Sequence, residues 1–128
     1  MNKLSSKELD LYSNQILEDY DAKKPSQIFK NKVKVSNEDA LLIQNKVTEL
    51  RVSRGEEIIG YKIGCISKDT QRKMDLSNPA KGTLWKHELH QSGVELNKKD
   101  YFNPAMEAEF GVILNSCLLY TSPSPRDV

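Results

Sequence analysis

The sequence predicts an α+β fold, with helices first and strands after them, lacking the regular alternation that builds a doubly wound sheet. Two observations carry this prediction. Through the first half, apolar residues recur at helical spacings of three and four, and beyond Gly55 the spacing drops to two. A chain of 128 residues, 38% hydrophobic and 29% charged, has the size and composition of one soluble globular domain.

The first helix is expected over about Lys7 to Ala22. Ser5 with Glu8 makes a capping box, Leu9, Tyr12, Ile16 and Tyr20 form the stripe, and Lys23, Lys24 and Pro25 close it. The stretch KKPSQIFKNKVKV then reads as a connector that packs Ile28 and Phe29 against neighbours. Ser36 with Asp39 is a second capping box, opening a helix whose stripe is Ala40, Ile43, Val47 and Leu50 and which Gly55 stops at the C′ position.

In EIIGYKIGCI, Ile59, Tyr61, Ile63 and Cys65 alternate with Gly60, Lys62, Gly64 and Ile66, giving a strand with one apolar face and a lone lysine on the other. Ser67 caps a short helix through KDTQRKMDL. SNPAKGTL is dense in turn formers and reads as a turn. A brief strand is expected near Val94 to Leu96, and MEAEFGVIL reads as a second strong strand.

Charge excludes some partners. The 19 basic and 18 acidic side chains are scattered, for a net +1, so neither a nucleic-acid nor a membrane partner is expected. MNKLSSKELDLY lacks the apolar centre of a secretory signal, and no run approaches the roughly 18 apolar residues that span a bilayer, so a cytoplasmic location is expected. Cys65 and Cys117 are too few and too far apart for a disulfide framework or a CxxC metal knuckle.

Three groups could carry chemistry. Lys62 has Gly60 and Gly64 beside it on one strand face, which leaves open space around the ammonium; partly desolvated, such a lysine has a lowered pKa suited to acid/base work. The other reading is an edge-strand lysine in water. Glu107 and Glu109 share a face, and like charges so placed repel unless something positive sits between them; a hard divalent cation such as Mg2+ or Mn2+ prefers such oxygens. The alternative is a solvated strand face. His87 and His90 lie three apart in KHELH but read as surface-loop residues, having no third His or Cys beside them. Trp85 reads as a core or pocket-wall aromatic.

Taken in order, DALLIQNKV, GYKIGCISKDTQRKM, NPAKGTLW and PAMEAEFGVIL resemble the first half of the family of 2-oxopent-4-enoate (2-hydroxypentadienoate) hydratases and 4-oxalocrotonate decarboxylases, in the fumarylacetoacetate hydrolase superfamily. The resemblance runs from about Leu4 to Asn115. It rests on a G-x-K-x-G strand, a P-x-x-G-x-L turn and a P-x-x-E-x-E strand in that order. It implies N-terminal helices beside the first strands of a mixed β-roll that holds a divalent metal, Mg2+ or Mn2+. Glu107 and Glu109 then match the paired metal carboxylates, and Lys62 matches the active-site lysine.

The implied activity is that of a lyase adding water to a small unsaturated 2-oxo acid through a metal-stabilised enolate, in a homo-oligomer. A decarboxylase or acylpyruvate-type hydrolase of the same superfamily is the alternative, and a non-catalytic binding domain a further one. The hydratases commonly read P-D-F-G where this chain has Pro79, Ala80, Lys81 and Gly82. The aspartate proposed to help water addition thus has no counterpart.

Family members carry a third metal carboxylate on a later strand. Here CLLYTSPSPRD, from Cys117 to Asp127, matches the translation of a transposase-type sequencing adapter. The expectation is therefore that 1–116 is the N-terminal portion of a hydratase/decarboxylase-like domain, inactive by itself, and 117–128 an artefact. A genuine Ser/Pro-rich tail is the other reading.

Overall fold

The computed structural model describes residues 3–114, so the expected adapter-derived segment 117–128 lies outside the described residues. The first helix, α1, runs Ser6–Asp21, and its capping box is closed. Ser5 Oγ accepts from the Glu8 N–H at 3.3 Å while Glu8 Oε2 accepts from the Ser5 N–H at 2.9 Å. Each orphan donor of the first turn satisfied this way is worth about 1 kcal/mol.

The connector folds one helical turn, α2, Gln27–Lys30. Ser26 supplies no side-chain cap there. Buried Asp19 does so from the end of α1, its Oδ2 accepting from the Gln27 N–H at 2.6 Å. Ile28 is buried as expected, whereas Phe29 stays exposed.

The main helix, α3, spans Asn37–Ser53, with Ser36 Oγ accepting from the Asp39 N–H at 3.0 Å. The second box is only half made. The buried Asp39 carboxylate turns instead to the Leu4 N–H at 3.4 Å, which ties the segment before α1 to the start of α3. Gly55, at φ 96, ends the helix in the left-handed conformation that glycine adopts without a Cβ penalty. The helices α1 and α3 pack side by side, with Ile28, Ile43 and Trp85 as the buried apolar residues.

Strand β1, Ile58–Gly64, pairs antiparallel with β2, Ala80–Trp85, and the short helix α4, Lys68–Lys73, lies between them in sequence. Helices plus a two-stranded sheet make the described residues α+β. Strand β2 occupies the segment expected to be a turn. Ser77, Asn78 and Pro79 do end the connection, but Ala80 onward is drawn into a ladder, with Gly82 opposite Lys62 and Ala80 opposite Gly64. Pairing with β1 overrides weak local preference at Ala80, Lys81 and Gly82.

The strands expected at Val94–Leu96 and in MEAEFGVIL are not formed among the described residues; 3₁₀ turns at Lys86–Glu88 and Lys98–Asp100 appear instead. Alternation confers a capacity for pairing, and among the described residues no partner strand meets either segment. The apolar face expected on β1 is likewise uncovered, with Ile59, Tyr61 and Ile63 exposed. Lys81 Nζ lies 4.5 Å from the centre of the Tyr61 ring.

The far end of α3 is closed by Arg51. Its guanidinium carbon stands 4.0 Å from the Trp85 ring centre and 4.8 Å from that of Tyr20. Nη2 reaches Glu56 Oε2 at 2.6 Å and Glu88 Oε1 at 3.0 Å, and the Tyr20 hydroxyl donates to the same Glu88 oxygen at 2.6 Å. This cluster joins α1, α3 and the turn after β2.

Candidate functional site

The antiparallel register places three glycines around Lys62. Gly60 and Gly64 are its same-face neighbours along β1, and Gly82 faces it across the ladder. A Cβ built at Gly64 or Gly82 meets nothing within 4 Å, so the space beside the lysine is open. The contribution of Gly82 escapes sequence reading, because P-x-x-G reads as a turn until β2 is known to pair.

Into this space the segment 104–114 brings two carboxylates. Lys62 Nζ lies 2.8 Å from Glu107 Oε2 and 2.7 Å from Glu109 Oε1. All three site residues named from the sequence are thus together. The positive charge that two adjacent glutamates require is supplied by the lysine itself. Hydrogen bonds to Glu107 and then Glu109 push the Lys62 ammonium well above the usual lysine range. This reverses the expected lowering: the side chain is exposed, and its acidic partners outweigh the slight desolvation. The Glu107 carboxyl is held below its usual range, chiefly by the hydrogen bond from Lys62.

The chemistry of these donors suits a hard divalent cation. Two carboxylate oxygens converge on one cationic point, and such ions bind through one or two carboxylates with water and substrate oxygens completing the shell. In this structure that cationic point is the Lys62 ammonium. Among the described residues no group of three or more His, Cys, Asp or Glu gathers for a metal. His87 belongs elsewhere, with Nδ1 3.6 Å from Glu56 and Nε2 3.7 Å from Glu88.

A separate apolar cavity of about 290 Å³ lies between α3 and β2, lined by Ile16, Ile43, Val47, Thr83 and Trp85 among others. None of the three site residues lines it.

Comparison with known proteins gives the class first. The fold is shared with 4-oxalocrotonate decarboxylase from Pseudomonas putida G7 complexed with calcium and acetate, at TM-score 0.54 and 20% identity over 67% of this chain and 34% of that one. The same enzyme complexed with magnesium and adipate gives TM-score 0.52. No family model matches.

Curated relatives then narrow the class. A 2-hydroxypent-2,4-dienoate hydratase of Pseudomonas putida is 32% identical over 95 residues, covering 73% of this chain and 43% of the relative. A 2-oxo-hept-4-ene-1,7-dioate hydratase of Escherichia coli is 28% identical over 80 residues, covering 62% and 30%. The chain therefore spans less than half the length of these relatives. In sequence it is thus similar to hydratases of small unsaturated 2-oxo acids, and in fold to a 4-oxalocrotonate decarboxylase.

Proposed function

We propose that the whole protein is a divalent-metal-dependent lyase that adds water to a small unsaturated 2-oxo acid, and that Glu107 and Glu109 hold the metal. The observation that carries this is the convergence of both carboxylates on one cationic point at 2.7 and 2.8 Å. The names of the hydratase relatives support the reaction class. Bound there, Mg2+ or Mn2+ supplies Lewis-acid stabilisation of the negative charge that develops on the substrate oxygens.

Lys62 does the work of the chain's own atoms. Its ammonium is a hydrogen-bond donor with three N–H groups. It binds the carboxylate or the 2-oxygen of the substrate, or delivers a proton to the developing enolate. Gly64 and Gly82 leave the room in which a flat oxo acid would lie against the ladder.

One observation favours decarboxylation as the second reading. Where the hydratases place an acidic residue, this chain has Ala80 and Lys81 at the start of β2, so no carboxylate there is available to steer water. The same proposal takes the sheet as the first strands of a mixed β-roll and the intact protein as a cytoplasmic homo-oligomer without nucleic-acid or membrane partners. No helix among the described residues is long and apolar enough to cross a membrane.

Titrating Mn2+ into the chain and into the double variant Glu107→Gln, Glu109→Gln tests the reading. The chain is expected to bind and the double variant to lose binding. Equal binding by both would remove the metal assignment. The uninterrupted reading frame, expressed and supplied with 2-oxopent-4-enoate or an oxalocrotonate, separates hydration from carbon dioxide release.

A further inference from the structure

We propose that the segment 106–112 is a strap that closes onto the free edge of β1 as a third strand, in a register selected by Lys62. The inference needs no metal and stands or falls apart from the metal reading above. Three observations support it.

First, the edge is open. The sheet has the order β1-β2, so among the described residues one edge of β1 meets no strand, and two strands alone make a marginal sheet. The apolar face is uncovered as well, with Ile59, Tyr61 and Ile63 exposed. Tyr61 stands opposite Thr83, which lines the apolar cavity against α3, so this face lies on the side of the helices. A strand added at the open edge would extend a layer that the helices already begin to cover.

Second, the segment matches that edge on both faces. In strand geometry Met106, Ala108, Phe110 and Val112 fall on one side, and Glu107, Glu109 and Gly111 on the other. Laid beside β1 with a glutamate opposite Lys62, the carboxylates share the face of the lysine while the apolar residues join Ile59, Tyr61 and Ile63. A slip of one residue would drive both carboxylates in among the apolar side chains.

Third, the charges that select this register already meet. Lys62 Nζ lies 2.8 Å from Glu107 Oε2 and 2.7 Å from Glu109 Oε1. The ladder itself is not made: among the described residues no backbone amide of 104–114 bonds to another backbone group, and every residue there is exposed. Exposed ion pairs contribute little by themselves, so closure draws on ladder hydrogen bonds and cross-strand apolar pairs, with the ion pairs choosing between registers. Closing would move Glu107 and Glu109 from a loop onto a ladder, where their backbone is fixed beside that of Lys62.

Amide hydrogen exchange, read residue by residue by nuclear magnetic resonance on the 128-residue chain, tests the closure. Every second amide of 106–112 faces β1 in the closed strand and is expected to exchange about tenfold more slowly than in an unstructured peptide, independently of protein concentration. Backbone nuclear Overhauser contacts to 59–64 are expected with it, placing Glu107 or Glu109 opposite Lys62. Lys62→Glu sets like charges together and is expected to remove this protection while the amides of α1 and α3 stay protected. Unprotected exchange throughout 106–112 in the unmodified chain, protection that survives Lys62→Glu, or contacts that place Ala108 opposite Lys62 would each overturn the proposal. Protection that vanishes on dilution would put the segment on β1 of a second copy and overturn closure within the chain.

Discussion

Among the described residues, Arg51 and Lys62 each bridge a pair of glutamates, in opposite surroundings. Arg51 joins Glu56 and Glu88 with its side chain 9% exposed, held between the Tyr20 and Trp85 rings. Lys62 joins Glu107 and Glu109 with its side chain 43% exposed, and no aromatic ring lies against it among the described residues. A planar guanidinium with forked donors, stacked on both faces, is committed to one geometry; a compact ammonium on a flexible stem can let go. The difference separates a buried clasp from an exposed one.

The largest expected effect breaks the first clasp. Arg51→Met leaves the glutamates of a partly desolvated cluster without their cation and is expected to cost about 3 kcal/mol of unfolding free energy, measured by urea titration. Arg51→Lys is expected to recover less than half of this, since it loses the fork and the stacking. Full recovery by lysine would erase the distinction drawn here.

The next prediction concerns the site. Gly82→Val puts a side chain into the open space opposite Lys62 without a steric clash and at a position where valine favours the strand. Stability is expected to hold or rise while kcat/KM of the uninterrupted protein on the oxo acid falls roughly tenfold to hundredfold. A normal rate would place the substrate elsewhere.

Acid sharpens the comparison further. Burial pushes the Glu56 carboxyl up, but hydrogen bonds from Arg51 and Arg54 outweigh it and hold the group below its ordinary value. A carboxyl depressed in the folded state stabilises the fold above its unfolded pKa, near 4.5, and that contribution is lost as pH falls through the folded value. Urea midpoints are expected to fall below about pH 4.5 in the unmodified chain, with a smaller fall in Arg51→Met. The smallest effect is that of Lys62→Met, which is expected to leave the urea midpoint at neutral pH unchanged, because its partners are exposed and screened.

Much of the helical half was legible. Ser5 with Glu8 and Gly55 announce their roles through local chemistry, which acts over a single turn. Arg51 was not, because a basic residue in the last turn of a helix looks like any other until Trp85 and Glu88 fold over it. In the sheet, Gly82 and Ala80 carry no strand signal of their own and acquire one from the register with β1. The site residues were readable as types. The protonation of Lys62 was not, since it depends on partners 45 residues away and beyond.

The segment that carries the two glutamates has one more consequence, for how the protein behaves in a test tube. Met106, Phe110 and Ile113 are 99%, 104% and 97% exposed, on backbone whose amides pair with no strand among the described residues. Apolar and exposed, it is a template for cross-β aggregation, and Glu107 and Glu109 are the gatekeeper charges within it. By neutralising them, Lys62 also blunts that protection. Raising the net charge of this segment is therefore the rational first step toward keeping the chain soluble.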